Sequence, residues 1–315
     1  MTRPGHPVLL PLAGAAIIGS LTAVQARING QLGLRLDDGF VAAAISFGSG
    51  LVILVVLSAA LPGGRSGFAR LASGVRGRSI PWWMLAGGLA GALTVATQGL
   101  TTAVIGVSLF TVGFVAGQTV SGLLLDRVGF GPGGVVAVTV PRLTGGALAL
   151  LAGVLSLSGG SIGRVPLWML LLPFAAGIGV AWQQGTNGRL RQRVGTPLTA
   201  TLVNFIGGTL VLVIAAAVHV AIVGAPEALP ADPWLYLGGA IGVAYIFLSA
   251  AIVAYTGVLL LGLGAITGQL VMSFAIDLVW PASSSPGLAL ELVIVVVALA
   301  SVAVVVVPWR RLRRR

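Results

Sequence analysis

The chain has 315 residues, of which 57% are hydrophobic and 8% are charged, whereas a soluble domain carries about 25% charged residues. A water-soluble fold is therefore excluded, and the absence of cysteine excludes disulfides, thiolate metal sites and thiol catalysis. The net charge of +11 comes from 18 arginines in short stretches between or beyond apolar segments, a pattern typical of membrane topology and not of nucleic-acid binding.

Apolar runs of roughly 20 residues recur along the chain, which is the length a helix needs to cross a hydrocarbon core about 30 Å thick. These runs predict ten transmembrane helices over residues 8–28, 40–61, 81–103, 105–125, 134–157, 166–189, 198–223, 233–254, 256–279 and 288–308. Only length argues for two helices between 81 and 125. The first run also fits a secretory signal, but a related segment recurs inside the chain, which favours a retained helix.

Arginine is distributed unequally between the two sides that this topology defines. With the N-terminus in the cytoplasm, the inside segments hold Arg3, Arg65, Arg70, Arg76, Arg78, Arg127, Arg189, Arg191, Arg193 and a basic tail at 309–315. The outside segments hold Arg27, Arg35 and Arg164. Because arginine excess marks cytoplasmic loops, we predict a multi-pass protein of the plasma (inner) membrane with both termini in the cytoplasm.

The chain contains an internal repeat. The segments that begin at Gln25 and Gln183 share the pattern Gln-x-x-x-Asn-Gly-x-Leu, which aligns Asn29 with Asn187. The further aligned pairs are Phe47 with Phe205, Gly50 with Gly208, Trp83 with Trp234, Gly87 with Gly238, Gly91 with Gly242, Gly106 with Gly257, Gly113 with Gly264, Gly117 with Gly268, Gln118 with Gln269 and Asp126 with Asp277. We predict two homologous five-helix halves, 8–158 and 165–308. Since five is odd, the second half is inverted, as in many secondary transporters.

A five-helix unit with this pattern in its first helix, duplicated over about residues 10–308, resembles the YdcZ-type family of the drug/metabolite transporter superfamily. The resemblance implies an all-α, ten-helix carrier that exports a substrate not yet assigned. One departure concerns Gln25. Small multidrug exporters, to which the superfamily is similar, use a buried Glu at about this depth, and an amide neither titrates nor neutralises a cation. Proton-driven export of lipophilic cations is therefore disfavoured.

Four amide side chains are the first candidates for substrate binding, because polar groups inside apolar helices are costly unless paired or facing a wet cavity. Gln25 and Asn29 lie four residues apart on one helical face, as do Gln183 and Asn187. Amides offer donors and acceptors, so these residues are predicted to bind a polar, uncharged or zwitterionic molecule from two symmetry-related sides. Alternatively, they hydrogen-bond neighbouring helices.

Asn204, Gln118 and Gln269 form a second set of candidate substrate-binding residues, with interhelical hydrogen bonding as their alternative role. Tyr245, Tyr255 and Trp182 are candidates for a cavity wall or for interfacial anchors. Arg142 is either a contact for an anionic substrate or a side chain that reaches the nearby cytoplasmic interface.

Eight glycines are predicted to pack helices, because small residues four apart let helix backbones approach closely. They are Gly87, Gly91, Gly113, Gly117, Gly238, Gly242, Gly264 and Gly268. A carrier must also let its halves rock, and glycine-lined contacts would suit that motion.

The sequence predicts a secondary transporter, and specifically an exporter, that moves a small polar or amphipathic metabolite by alternating access without a cofactor or metal. An enzyme is disfavoured because no nucleophile with a base, paired carboxylates or metal cluster is visible. A channel is disfavoured because no helix carries a stripe of charged or hydroxyl-bearing residues suited to a continuous wet pore. A non-transporting accessory or sensor subunit remains the alternative. The partners are the substrate and the lipid bilayer, with no nucleic acid, and the fused halves favour a monomer over a homodimer.

Overall fold

The computed structural model describes residues 9–155, 171–226, 228–279 and 288–306, and within these ranges every regular element is helical. The predicted basic tail at 309–315, Arg3 and Arg164 lie outside them. The helices are α1 (Leu9–Leu36), α2 (Gly39–Ala60), α3 (Pro62–Arg76), α4 (Gly87–Arg127), α5 (Val140–Leu155), α6 (Leu171–Val194), α7 (Pro197–Val223), α8 (Gly238–Val279) and α9 (Leu288–Val306). Short 3-10 turns at Trp82–Leu85 and Pro233–Tyr236 precede α4 and α8.

The helices have the length and apolar composition of a membrane protein. Among the described residues, four helical stretches are long and apolar enough to cross a bilayer, namely Leu10–Leu36, Gly39–Ala60, Pro197–Val223 and Pro233–Ile276. Shorter apolar helices cover Gly87–Thr97, Val140–Leu155 and Leu292–Val306. Large apolar side chains on the outer faces of α2 and α7, such as Val52 and Leu210, are exposed. In a bilayer these faces would contact lipid, so the chain has an all-α membrane fold.

Helix α8 is broken at Gly257, whose φ of 74° and ψ of 174° lie outside the helical region. The break divides α8 into a first arm, residues 238–256, and a second arm, residues 258–279, close to the interruption predicted between 254 and 256. The first arm places Gly238 against Asn29, and the second places Gly268 against Ala16. A straight helix would separate those two glycines by about 45 Å, whereas Asn29 and Ala16 are about 20 Å apart on α1. The second arm therefore turns back along α1.

Helix α4 makes the equivalent contacts with α6. Gly87 lies against Asn187, and Gly117 lies against Phe174, so α4 also bends back along its partner. Gly87–Arg127 is one helical element, whereas the sequence predicts two helices over 81–103 and 105–125. The contacts with Asn187 and Phe174 nevertheless require a change of direction within this element. No proline interrupts this stretch, and glycine alone weakens a helix without removing a hydrogen-bond donor.

Three helical segments extend into regions predicted as loops. Helix α1 continues to Leu36 and α6 continues to Val194, because their polar and basic residues follow the apolar run without a helix breaker. Helix α3 occupies the gap left at 62–80 and buries Gly64, Gly67, Leu71 and Gly74 at helical spacing. Its many glycines hide it in the sequence, because glycine has a low helix propensity.

The centre of the molecule is a contact between two residues that the repeat aligns. The rings of Phe47 on α2 and Phe205 on α7 pack with their centroids 5.0 Å apart, and both residues are buried. Each ring covers a glycine of the opposite helix, since Phe205 lies against Gly50 and Phe47 lies against Gly208. Aligned residues therefore make matching contacts across the centre of the fold.

The predicted packing glycines have three kinds of neighbour. Gly117 and Gly268 lie directly against backbone carbonyl groups, of Phe174 and Ala16 respectively, where α4 crosses α6 and α8 crosses α1. Gly264 lies against the side chains of Ala15 and Leu12. The nearest described neighbours of Gly87, Gly91, Gly238 and Gly242 are amide side chains. Gly113 is buried in α4.

Candidate functional site

A polar cavity lies between the two halves, where α1, α4, α6 and α8 meet. Its volume is about 80 Å³, which is enough for several water molecules. Six of the seven predicted substrate-binding residues line it, namely Gln25, Asn29, Gln118, Gln183, Asn187 and Gln269. The seventh, Asn204, lies directly behind the wall. The structure therefore brings all seven predicted residues to one place.

In the first half, α1 supplies the amides and the start of α8 holds them. The Gln25 Nε2 donates a hydrogen bond of 2.9 Å to the carbonyl oxygen of Gly238. A Cβ atom at Gly242 would lie 2.5 Å from the same nitrogen. Asn29 lies against Gly238, and its Oδ1 is buried with no donor from the described residues. The glycines at the start of α8 are therefore what lets these amides sit against that helix.

In the second half, α6 supplies the equivalent amides, and Asn204 of α7 links them. The Asn204 Oδ1 accepts hydrogen bonds from Gln183 Nε2 at 2.9 Å and from Asn187 Nδ2 at 3.0 Å. Gly87 and Gly91 at the start of α4 lie against Asn187 and Gln183. All three amides are more than nine-tenths buried. We call these two hydrogen bonds to one oxygen the hydrogen-bond fork. The repeat register places Ser46 at the position of Asn204, so the hydrogen-bond fork occurs in the second half alone.

Several wall residues were not among the predicted substrate contacts. They are Thr22, Thr94, Gln184 and Ser249, and the Tyr245 considered for a cavity wall also lines it. The register aligns Thr94 with Tyr245 and Ala26 with Gln184, which both line the cavity. Following the repeat alignment through every polar residue of α1, α4, α6 and α8 would have found Thr94, Tyr245 and Gln184.

A loop that follows α4, residues 129–133, covers α6 at one end of the cavity, and we call it the sealing loop. Phe130 packs against Gly185 and Pro132 packs against Gly188. Arg189 fixes this sealing loop by donating to the carbonyl oxygens of Phe130 at 2.5 Å and Gly129 at 2.7 Å. The side chains of α6 from Gln183 to Gly188 are accordingly all buried.

The opposite end is less covered by the described residues. Ala26 lines the cavity and is exposed, whereas its repeat mate Gln184 is buried. Gly30 is also exposed, and no described atom lies within 4 Å of the position of its Cβ, in contrast to its buried mate Gly188. Within the part of the chain that the structure describes, the two halves therefore enclose the cavity unequally.

The sealed end also contains a buried ion pair. Asp126, which is 1% exposed, pairs with Arg142, which is 8% exposed. The carboxylate also accepts hydrogen bonds from the backbone N–H groups of Val258 at 2.7 Å and Leu259 at 3.1 Å. It thereby caps the second arm of α8, whose first N–H groups have no partner in their own helix. Both roles considered for Arg142 are corrected by this pairing, because its guanidinium is buried against Asp126 and is not among the described lining residues of the cavity.

The comparisons with known proteins agree with this architecture. The model of the family described as "Putative inner membrane exporter, YdcZ" matches the chain twice, over residues 10–155 and 168–306. The chain belongs to this family. The double match shows that this YdcZ-family protein is a two-repeat form. No curated protein matches the chain.

A solved crystal structure shares the fold of this YdcZ-family chain. It aligns with 96% of this chain and 97% of its own, with a TM-score of 0.59 and 21% sequence identity. At that identity the likeness shows the fold alone. It extends over both halves, so the full arrangement of helices has a counterpart in a known structure.

Charge in this YdcZ-family protein is divided between the two ends of the helices. Arg127, Arg189, Arg191 and Arg193 lie at the sealed end, and α3 adds its arginines there, because Arg70 donates to the carbonyl oxygen of Val194 at 2.6 Å. The other end holds Asp38, which pairs with His219 at 3.0 Å, and Asp232, which pairs with Arg35 at 3.4 Å. The cavity itself has no Asp, Glu, Arg or His among its described lining residues. No cluster of metal-ligand type is found in the described part of the chain.

Proposed function

We propose that the protein is a secondary transporter that exports a small polar or amphipathic metabolite by alternating access. The observation that carries this proposal is the polar cavity between the halves, which is lined by aligned amides from both. Polar groups in a membrane interior are costly and mark substrate pathways. In transporters built from repeats, the substrate site lies near the midplane between them.

The proposed topology has ten spans in two inverted five-helix halves, residues 8–158 and 165–308, with both termini in the cytoplasm. The matching contacts of aligned residues, such as the stacking of Phe47 on Phe205, support two equivalent units. The concentration of arginine at the sealed end supports a cytoplasmic location of that end. The fused halves supply both sides of the cavity, which supports a functional monomer.

In that orientation we propose that the arrangement of the described residues corresponds to an outward-facing state. The sealing loop and Arg189 close the cytoplasmic side of the cavity, while Ala26 and Gly30 are exposed on the other side. Inverted halves that differ in conformation can exchange their conformations, which would close the outer end and open the inner one. Substrate would bind at the amides from one side and leave from the other.

The test replaces the aligned asparagines in the full-length protein. Asn29→Ala combined with Asn187→Ala should abolish substrate-dependent transport in proteoliposomes while the folded yield stays unchanged. The control is Gln31→Ala, which removes an amide from α1 outside the cavity wall. Full transport by the double variant would refute the assignment of the site. Transport by neither the unmodified protein nor the variants, across a broad panel of metabolites, would favour an accessory or sensor subunit.

A further inference from the structure

The hydrogen bonds that cavity side chains make inside the protein determine which of their polar atoms remain for a ligand. Gln25 is the clearest case. Its partner is the backbone carbonyl oxygen of Gly238 at 2.9 Å, and a carbonyl only accepts, so the amide nitrogen must face it. The acceptor Oε1 of Gln25 is then the atom left for the cavity.

The aligned Gln183 repeats this arrangement. Its Nε2 donates to Asn204 Oδ1 at 2.9 Å, which again leaves Oε1 for the cavity. Asn187 Nδ2 also donates a hydrogen bond to the same Asn204 oxygen, at 3.0 Å. Each half therefore presents a glutamine carbonyl whose nitrogen is already held by the protein.

Two hydroxyl groups of the wall are restricted in the same way. Thr22 Oγ1 donates to the carbonyl oxygen of Ile18, and Thr94 Oγ1 donates to that of Ala90, both at 2.8 Å. A hydroxyl has one proton, so each of these groups can only accept a further hydrogen bond. Gln25, Gln183, Thr22 and Thr94 together present four acceptor oxygens, because each side chain already donates a hydrogen bond within the protein. Each glutamine nitrogen retains a second N–H.

The electrostatic environment excludes two classes of ligand. The described lining residues include no cationic side chain, so a carboxylate or phosphate would face four acceptor oxygens without a counter-charge. The described lining residues include no carboxylate either, so a desolvated ammonium group would also lack a counter-ion. Burial of an unpaired charge is costly, whereas neutral donors fit these acceptors.

We infer that the substrate is a neutral molecule with several hydrogen-bond donors, of the polyol, carboxamide or urea type. This inference rests on the proposed transport function and specifies its substrate class. The amide N–H groups of Gln118 and Gln269, which also line the cavity, would donate hydrogen bonds to acceptor atoms of the ligand. Phe114 and Ile246 line the same cavity and suit the carbon skeleton of such a molecule.

The test measures the melting temperature of the purified full-length protein in detergent, because a ligand that binds the folded state stabilises it. The probes are size-matched sets in which one carbon skeleton carries hydroxyl or carboxamide groups, a carboxylate, an amine, or methyl ethers that lack donors. At least one neutral donor-bearing compound should raise the melting temperature, and its acid and ether counterparts should not. Equal or greater stabilisation by the acid or the ether overturns the inference, as does a panel in which no neutral donor compound acts.

The variant Gln25→Glu tests the role of charge directly, because it replaces a neutral side chain of the cavity by an anionic one of nearly the same shape. It adds a counter-charge and removes the nitrogen that Gly238 holds, so the neutral compound should bind at least tenfold more weakly and the matching amine should begin to stabilise the protein. The control is Gln31→Glu, which makes the same chemical change on α1 outside the cavity wall. Unchanged selectivity in Gln25→Glu contradicts the inference.

The experiments distinguish an error in the inferred substrate class from an error in the proposed transport function. If an acid or amine binds instead, and Gln25→Ala or Gln183→Ala abolishes that binding, the cavity remains the substrate site and only the inferred class is wrong. If a compound binds with the same affinity in both variants, the cavity is not its site. Proteoliposomes that bind the compound at the cavity without moving it would refute transport.

Discussion

Asp126 Oδ1 lies 2.7 Å from the backbone nitrogen of Val258, a residue 132 positions later in the chain. Through this contact a residue at the end of α4 in the first half caps a helix arm in the second half. The break at Gly257 is what exposes the capped N–H groups, and the carboxylate lies 2.9 Å from the position that a Cβ would take there. The ion pair with Arg142 then ties α5 to the same point.

The first prediction concerns this cap. Asp126→Ala should destabilise the protein by about 3–5 kcal/mol, because it leaves Arg142 buried without its partner. It also removes the acceptor for two N–H groups. The melting temperature in detergent should therefore fall strongly, and Arg142→Met should destabilise for the same reason.

The double variant of Asp126 and Arg142 separates pairing from packing. If the two side chains act as a pair, the loss in the double variant should be clearly smaller than the sum of the single losses. Additive losses would show that the pair contributes no coupling energy. Arg193→Ala, an exposed arginine at the same end, serves as the control and should leave the melting temperature unchanged.

The second prediction concerns close helix crossings. Gly268→Ala and Gly117→Ala should each destabilise the protein by about 1–3 kcal/mol, because the added methyl group would overlap a backbone carbonyl group that cannot move away. Gly30→Ala is the matched control, since it places the same methyl group on α1 with no described atom within 4 Å. The melting temperature of the control should be well above those of both variants. Equal melting temperatures would contradict the close helix crossings.

The third prediction concerns Asn204. Asn204→Leu should destabilise the protein by about 1–3 kcal/mol for each donor left without an acceptor, on Gln183 and Asn187. Asn204→Asp retains an acceptor oxygen for both donors and should remain closer to the unmodified protein. The equivalent substitution in the first half, Ser46→Leu, removes no hydrogen bond to Gln25 or Asn29, so it should not reproduce the loss of these two bonds. Equal melting temperatures for Asn204→Leu and Asn204→Asp would contradict the hydrogen-bond fork.

Much of the fold could be predicted because apolar runs and helix breakers are strong local signals. The run at 198–223, bounded by Pro197 and Gly224, predicts α7 to within one residue. Helix boundaries are predicted wrongly where polar, basic or glycine residues interrupt the apolar pattern of a helix. Arg27, Asn29 and Arg35 are typical of a loop, yet α1 continues through them, and the glycines that form the packing face of α3 lower its apparent helix propensity.

The candidate-site residues that could be predicted are those that the internal repeat aligns with each other. Aligning Gln25 with Gln183 and Gln118 with Gln269 selects residues that the structure places in one cavity wall. The sealing loop and the pairing of Asp126 with Arg142 were not predictable. Both depend on contacts between elements distant in the chain, and one sequence contains no signal for which buried charge meets which partner.

The fourth prediction concerns the seal. Arg189→Ala removes both hydrogen bonds that hold the sealing loop, and should increase access to the cavity from the sealed end. A cysteine placed at Gln184 would report this as faster reaction with a water-soluble thiol reagent, against a background free of native cysteine. Arg193→Ala should leave the rate unchanged. No difference between the two arginine variants would show that Arg189 does not control the seal.

The most direct measurement compares thiol labelling at two aligned wall positions, Ala26→Cys and Gln184→Cys, in oriented proteoliposomes with an impermeant reagent. In the state described here, Ala26→Cys should react from the outer side and Gln184→Cys should be protected, because position 26 is exposed and position 184 is buried. During transport, Gln184→Cys should become reactive from the cytoplasmic side as Ala26→Cys becomes protected. Labelling of both positions from one side only, or from both sides at once, would contradict alternating access between the two halves.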